Sequence, residues 1–170
     1  MATPLALDAI PLRRTVVDIR DLLHWSLEIL HRQADAFDVG LRVDVDDDVP
    51  VGIAVDERKM AWAITALVGN ALRYVRRGSQ TMPGGSIAVH VSYDSSAAQI
   101  AIDVQDDGPG IAADRLPSLF DPATHTAGAA LGLSMVKDVV EAHGGTCGIV
   151  SDTRGPSHGT TVRLTLPAAI

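Results

Sequence analysis

The sequence predicts an α/β two-layer sandwich, in which a mixed and largely antiparallel sheet is covered on one face by helices. Apolar and polar residues alternate in several short segments, as they do in half-buried strands. Three longer stretches instead carry apolar residues at helical spacing. The helices occur among strands that are joined by turns, and this order favours the sandwich over a parallel, doubly wound sheet.

The composition is that of an ordinary globular domain. The chain has 170 residues, 46% hydrophobic and 21% charged, which is enough for one domain with a core but short for two. We therefore expect a single domain over residues 1–170, in which residues 1–12 form a loose linker. The net charge of −7 gives no electrostatic reason to expect nucleic acid or an anionic membrane as a partner.

Cysteine usage and hydropathy bear on the compartment. Cys147 is the single cysteine, so an internal disulfide is excluded and a reducing compartment is expected. No apolar run approaches the roughly 20 residues that a membrane-spanning helix needs, and the N-terminus does not have the layout of a signal peptide. We expect a cytoplasmic domain without direct membrane contact, although a longer parent protein could be anchored in a membrane.

The first half of the chain is expected to contain two helices and two strands. Irregular helical spacing predicts one helix over residues 13–36. Residues 41–45 alternate and residues 53–55 suggest a second short strand, so the two are expected to form a hairpin-like pair. Asp56 can cap a long helix that runs to about Arg77.

The second half is expected to complete the sheet. Alternating segments at residues 87–91 and 100–104 flank a turn-forming run and predict two antiparallel strands. Residues 107–130 are rich in Gly, Pro, Ala and Asp, which predicts a long loop with only a brief helix. A helix over about 131–143 ends at two glycines, and two more strands are expected near residues 146–151 and 160–166.

One flank of the helix after Asp56 combines side chains that suit a bound triphosphate. At about 100° per residue, Asn70, Arg73 and Arg77 project together beside the apolar arc, with Tyr74 at its boundary. Asparagine can offer a neutral oxygen to Mg²⁺, arginine can pair with phosphate oxygens, and tyrosine can form a wall of a base pocket. An ordinary solvated helix face is the alternative interpretation.

A run of the form DDGPGI begins at Asp106, directly after a predicted strand. Gly108 and Gly110 permit a sharp turn whose backbone comes close to a flat ligand. The Asp106 carboxylate could accept a hydrogen bond from the exocyclic amine of adenine, which guanine lacks at that position. A plain Asp-Gly turn is the alternative.

The small-residue run from Gly128 to Leu133 opens the last predicted helix. Backbone N–H groups at a helix start bind anions, so phosphates could lie there, although a small-residue helix start has the same pattern. The run is neither a Walker-type loop nor a GxGxxG signature. The six histidines show no zinc-ligand spacing, and no Ser-His-Asp set is supported, so we predict no structural metal and no nucleophilic hydrolase.

The order of these motifs resembles the GHKL ATPase superfamily, most closely its histidine kinase branch, over about residues 11–167. Residues 66–74 resemble the N box, which implies Asn70 as the Mg²⁺ ligand and Arg73 in a phosphate-contacting position. Asp106 to Gly110 resembles the G1 box, which implies that Asp106 reads adenine. The resemblance implies the Bergerat ATP-binding fold.

Three further motifs complete the resemblance. Residues 119–122 are similar to the F box, residues 128–133 to the G2 box, and residues 159–161 to the final strand motif, in which Thr160 supports adenine. Asn70 and Arg73 are the expected catalytic residues. The full set expected to bind ATP and Mg²⁺ comprises Asn70, Arg73, Tyr74, Arg77, Asp106, Gly108, Gly110, Ile111, Phe120, Gly128, Leu131, Gly132, Leu133 and Thr160.

The implied activity is that of an ATP-dependent protein histidine kinase. Its γ-phosphoryl acceptor would be a histidine on a separate dimerisation domain, upstream in the parent or in trans, because no acceptor motif occurs in this chain. A response regulator would be the next partner. Ala66 occupies the position at which gyrase-type relatives carry a water-activating Glu, so the domain is poorly equipped to hydrolyse ATP directly.

Other functions stay open on the sequence. Ala66, together with Ala130 where the family commonly has Gly, motivates a second hypothesis. In it the domain is a degenerate nucleotide-binding module that regulates a partner by ordering its lid, the loop between the F box and the G2 box. The lid also lacks an evident basic residue near the phosphates, for which His125 is a weak substitute. An ATP-hydrolysing clamp is disfavoured by Ala66, and an anti-sigma-type serine kinase is disfavoured by the long opening helix.

Overall fold

The computed structural model describes residues 10–121 and 132–168. Strands and helices intermingle along the chain, as the sequence predicts. In chain order they are β1 (Thr15–Val17), α1 (Ile19–Ser26), α2 (Glu28–Ala36), β2 (Gly40–Val45), β3 (Ile53–Val55), α3 (Glu57–Tyr74), β4 (Ser86–Asp94), β5 (Gln99–Asp106), a 3₁₀ turn (Leu116–Ser118), α4 (Leu133–Ala142), β6 (Thr146–Asp152) and β7 (Gly159–Pro167).

Within the described residues, the main sheet has five strands in the order β2-β4-β5-β7-β6. Only the β2–β4 pair is parallel, and the other neighbours are antiparallel. Alternate residues of β4 and β5 are buried, because one face of these strands packs under the helices and the other faces solvent. The predicted two-layer sandwich with a largely antiparallel sheet is confirmed.

The opening of the chain differs from the single predicted helix. Thr15–Val17 forms strand β1, because its β-branched residues pair with β3 in a separate two-stranded sheet. Asp18 then caps α1, accepting a hydrogen bond of 2.8 Å from the Arg20 N–H. Leu27, at φ −97° and ψ 0°, separates α1 from α2. The prediction of one helix over residues 13–36 is therefore wrong.

The predicted hairpin of residues 41–45 and 53–55 is also wrong. β2 pairs in parallel with β4, whereas β3 pairs antiparallel with β1. The acidic turn between them leads the chain from the main sheet to the small sheet, and the Asp46 N–H donates to the Val91 carbonyl oxygen at 2.9 Å. Alternation correctly identified the strands, but it carries no information about which partner each strand takes.

Helix α3 begins as predicted and ends three residues earlier than expected. Its apolar arc is buried against the sheet. At Val75 the backbone becomes extended, with ψ 151°, and the helix ends. The Val75 side chain is buried, which anchors the chain where it leaves the helix. Arg77 therefore lies beyond the helix, and the prediction that it shares the helical flank of Asn70 is wrong.

A buried polar cluster fixes the start of α3. The Asp56 carboxylate accepts hydrogen bonds from the Arg13 N–H at 2.9 Å and from the N–H and ammonium of Lys59, each at 3.1 Å. These bonds, led by that from Arg13, lower the pKa of Asp56 to about 2 although burial acts to raise it. Nε2 of His143 accepts from the Asp56 N–H at 2.9 Å, and its Nδ1 donates to the Val139 carbonyl at 2.7 Å. The cluster joins α4, the chain entry and α3.

The helices of the described residues include none that is both long and apolar enough to span a bilayer. Cys147 is half-buried on β6, and burial raises the pKa of its thiol to about 11.

Candidate functional site

A cavity of about 290 Å³ opens between α3 and the segment that follows β5. Side chains of α3 form one wall, residues 109–119 form the other, and β5, β6 and β7 form the floor. A mainly apolar chamber with a few polar groups is typical of a small-molecule site. Its lining residues are Leu67, Asn70, Ala71, Tyr74, Val104, Asp106, Pro109, Gly110, Ile111, Ala112, Arg115, Leu119, Leu133, Ile149, Thr160 and Val162.

Asp106 supplies the carboxylate in this cavity. It is the last residue of β5, where it lies opposite Thr160 of β7. Its Oδ1 accepts from the Gly108 N–H at 2.9 Å. Burial raises the pKa of Asp106, while hydrogen bonds from the backbone of Gly108 and Thr160 oppose the rise. A half-buried acceptor held by its own turn can recognise a donor on a bound ligand.

The turn after Asp106 is packed too closely to accept side chains at its glycines. A Cβ at Gly108 would lie 2.8 Å from the Asp106 Oδ1 atom. Gly110 has a φ of +75°, and a Cβ there would lie 2.1 Å from the carbonyl oxygen of Asp152. The turn therefore lies directly against the end of β6, at a distance that only glycine permits.

Helix α3 brings Asn70 and Tyr74 to the opposite side of the cavity. The start of α4 lies next to it, because a Cβ at Gly132 would lie 3.7 Å from the Ala66 Cβ and 4.0 Å from the Asn70 Nδ2 atom. Leu133 lines the cavity from α4. The structure thus brings together residues from the three motifs that the sequence analysis placed at Asn70, Asp106 and Gly132.

The chemistry of Asn70 fits a magnesium ion shared with a nucleotide. Its half-buried carboxamide lines the cavity and offers one neutral oxygen. Mg²⁺ typically binds through one or two protein oxygens, with substrate phosphates and water completing its octahedron. The described residues contain no group of three or more His, Cys, Asp and Glu that could form a cage made of protein ligands alone.

Some predicted residues do not line the cavity. Arg73 is exposed on α3, and the Arg77 guanidinium lies over the Phe37 ring, 3.8 Å from its centroid. Phe120 is half-buried beside α4, where the ammonium of Lys137 lies 5.6 Å from its ring centroid. The roles expected of these residues in nucleotide binding stay predictions.

Part of the glycine-rich motif is outside the described residues. Gly128, Ala130 and Leu131 fall there, as does His125. Their predicted roles are not tested by the structure.

Arg115 is a lining residue that was not among the predicted site residues. It lines the cavity at the start of the 3₁₀ turn, and it is the single cationic side chain among the lining residues of the described chain. Only the fold shows that Arg115 lines the cavity. In the sequence, a loop arginine that lines a cavity looks the same as one that is solvated.

Ser151 was missed as well. It lies on β6 opposite Thr160, and its Oγ accepts from the Ile111 N–H at 2.7 Å. The same oxygen lies 2.8 Å from the Thr160 Oγ1 atom and 3.0 Å from the Gly159 carbonyl oxygen. Ser151 therefore connects two lining residues of the cavity without lining it itself.

Comparison with known proteins places these features in a family. Residues 55–170 match the family described as Histidine kinase-, DNA gyrase B-, and HSP90-like ATPase. Over 156 residues the chain is 32% identical to the sensor histidine kinase ZraS of Escherichia coli, covering 91% of this chain and 31% of ZraS. It is 33% identical over 165 residues to the sensor protein DivL of Caulobacter vibrioides, covering 95% of this chain and 20% of DivL. The chain thus spans less than a third of these relatives.

Solved structures show the same architecture. Full-length ShkA in complex with AMPPNP superposes with a TM-score of 0.79 at 26% identity, covering 94% of this chain and 32% of ShkA. The mycobacterial sensor histidine kinase MprB gives 0.75 at 26% identity, over 91% of this chain and 97% of that one. Histidine kinase ThkA in complex with the response regulator protein TrrA gives 0.72 at 18% identity, over 93% of this chain and 42% of that one, a likeness of fold alone.

The matched model covers most of the chain, and it includes the Asn70 helix, the Asp106 turn and strand β7. The chain therefore belongs to the histidine kinase-, DNA gyrase B- and HSP90-like ATPase family, in which it corresponds to the catalytic ATP-binding domain of sensor histidine kinases.

Proposed function

We propose that this domain binds ATP with Mg²⁺ in the cavity and transfers its γ-phosphoryl group to a histidine on a separate domain. The observation that carries the proposal is that Asn70 and Asp106 line the same cavity from opposite sides. A purine can enter against the Asp106 carboxylate while its phosphates extend toward Asn70 and the start of α4. ShkA, whose complex contains AMPPNP, has the same fold at 26% identity.

Three of the polar lining residues have distinct tasks in this proposal. Asp106 accepts a hydrogen bond from the adenine amine, and the apolar side chains of Ile111 and Val162 contact the ring. Asn70 holds the metal, which neutralises charge on the phosphates. Arg115 supplies a positive charge at the cavity wall. The domain would thus act by positioning the nucleotide and balancing its charge.

The transfer itself needs a second protein surface. An acceptor imidazole nitrogen forms a bond to the γ-phosphorus as the bond to the β–γ bridging oxygen breaks, and ADP leaves with that oxygen. Next to Asn70 lies the methyl group of Ala66, which cannot activate water. The base for the imidazole would come from the acceptor domain, and the absence of a carboxylate at position 66 would protect ATP from hydrolysis.

The partners follow from the same proposal. Since the chain spans less than a third of ZraS, the histidine-bearing dimerisation domain would lie elsewhere in the parent or in trans. In this proposal a response regulator would then receive the phosphoryl group from that histidine. A domain that uses ATP would act in the cytoplasm, whether or not the parent is anchored in a membrane.

Calorimetric titration of the chain with ATP and Mg²⁺ tests the binding step. Asp106→Asn is expected to weaken ATP binding by roughly tenfold or more, because the carboxamide brings a donor to face the adenine amine. Asp94→Asn is the matched control, since Asp94 lies in the exposed turn at the opposite end of the β4–β5 hairpin. Full affinity in Asp106→Asn would remove this residue from base recognition.

Phosphoryl transfer is tested with γ-labelled ATP and the cognate histidine hairpin. Label is expected on the hairpin, and a hairpin with its histidine replaced by glutamine should remain unlabelled. Asn70→Ala should abolish transfer. Nucleotide binding without labelling would instead indicate a regulatory module, and steady phosphate release by the chain alone would indicate a hydrolase.

A further inference from the structure

The hydroxyl of Ser151 is the centre of a small hydrogen-bond network at the base end of the cavity. It contacts the Ile111 N–H at 2.7 Å, the Thr160 hydroxyl at 2.8 Å and the Gly159 carbonyl at 3.0 Å. Ile111 belongs to the turn after Asp106, and Thr160 belongs to β7. A single hydroxyl therefore couples two parts of the cavity wall that are distant in sequence.

The donors and acceptors of this network define its polarity. A backbone N–H only donates and a carbonyl oxygen only accepts. All three contacts are hydrogen bonds at once when Ser151 accepts from Ile111, gives its one proton to Gly159 and accepts the Thr160 proton. With that proton turned toward Ser151, the Thr160 oxygen can present only lone pairs to the cavity.

We propose that Ser151 is a positioning residue that selects the purine base by holding the Thr160 hydroxyl as an acceptor. The inference rests on the proposed binding of ATP in this cavity and names the residue that sets its base specificity. Asp106 and Thr160 then offer two neighbouring acceptors, since they are paired across β5 and β7. Two acceptors suit the amine at C6 of adenine, either directly or through water, and disfavour the carbonyl at C6 of hypoxanthine.

Binding of ATP and ITP to Ser151→Ala tests this assignment, because the two nucleotides differ at C6. Without the Ser151 oxygen, the Thr160 hydroxyl can turn and donate to a carbonyl. ATP affinity is expected to fall by roughly five- to tenfold while ITP affinity changes little or rises, so the preference for ATP falls by about the same factor. Ser151→Thr keeps the hydroxyl and should retain the preference.

Two further variants separate positioning from a general structural role. Ser96→Ala removes a hydroxyl that bonds Asp94 in the turn at the far end of the β4–β5 hairpin, and it should leave both affinities unchanged. In a Thr160→Val background, the additional change Ser151→Ala should no longer alter the ratio of ATP to ITP affinity. Thermal unfolding of each variant establishes that it is folded at the titration temperature.

The possible results distinguish this inference from the proposed function. Equal losses of ATP and ITP affinity in folded Ser151→Ala would overturn the positioning role. They would not contradict the proposal that the wild-type cavity binds ATP. A change in the nucleotide ratio that persists in the Thr160→Val background would also overturn it, because Ser151 would then act by another route. A wild-type chain that binds no ATP would refute the proposed function itself.

Discussion

The buried carboxylate of Asp56 should make the domain lose stability in acid. Three hydrogen bonds, two from backbone N–H groups and one from the Lys59 ammonium, lower the pKa of Asp56 from its ordinary value of 3.8 to about 2. A lowered pKa in the folded state means that the contribution is complete above the unfolded pKa and disappears as the pH falls through the folded one. At 1.36 kcal/mol for each pKa unit, the loss between pH 5 and pH 2 is about 2 kcal/mol.

Urea unfolding of wild type and Asp56→Asn between pH 5 and pH 2 measures this contribution. The variant should be less stable by about 2 kcal/mol or more at pH 5, because its amide group also brings a donor toward the backbone N–H of Arg13 or Lys59. The gap should shrink by about 2 kcal/mol toward pH 2, where the Asp56 carboxyl group of folded wild type is about half protonated.

A variant that removes no titrating group provides the comparison. Ile102→Val, in the fully buried core of β5, should lower the unfolding free energy by about 1 kcal/mol and by the same amount at both pH values. A gap between wild type and Asp56→Asn that stayed constant from pH 5 to pH 2 would refute the assignment of a lowered pKa to Asp56.

Two predictions concern the cavity wall. Arg115→Gln should weaken ATP binding by roughly fivefold and leave adenosine binding unchanged, because the charge of Arg115 acts on phosphates. Arg154→Gln, in the exposed β6–β7 turn, is the control. Equal losses of ATP and adenosine affinity in Arg115→Gln would contradict a role in phosphate binding. Gly110→Ala should abolish ATP binding, because its Cβ would lie 2.1 Å from the Asp152 carbonyl oxygen. Gly155→Ala has a similar φ of +76° but open space around the Cβ, so calorimetry should find its affinity close to wild type.

Local pattern was sufficient to predict much of the fold. Helix α3 follows from an apolar arc at helical spacing that begins at the Asp56 cap, and both β4 and β5 follow from strict alternation around a turn. These features depend on residues that are near one another in the chain. The pairing of β2 with β4 depends on residues far apart, and alternation is the same for either partner, so the predicted hairpin was wrong.

The ends of elements were less predictable than their existence. Val75 continues the apolar arc of α3, yet its side chain is buried with an extended backbone, so spacing alone extended the helix to Arg77. Strand β1 is three residues long and depends on β3 for its hydrogen bonds. Its short β-branched run directly precedes helix α1, so the two were predicted together as one helix.

The cavity was predicted in part. Asn70 and Asp106 were identified because each lies in a motif with a fixed neighbourhood, and the structure brings them to one cavity. Arg115 and Ser151 were not identified, because a loop arginine and a strand serine look the same in sequence whether or not they face a ligand. Their positions depend on how β6 and the turn after β5 pack together.

The first helix of the chain has a consequence for how small this domain can be made. The family match begins at residue 55, inside β3, yet Leu22, Leu23 and Leu27 are at most 1% exposed in the same core as the Asn70 helix. A fragment trimmed to the matched residues would leave that core open to water and would remove strand β1 and all of β3 except Val55. The buried core therefore extends well upstream of the residues that the family model matches.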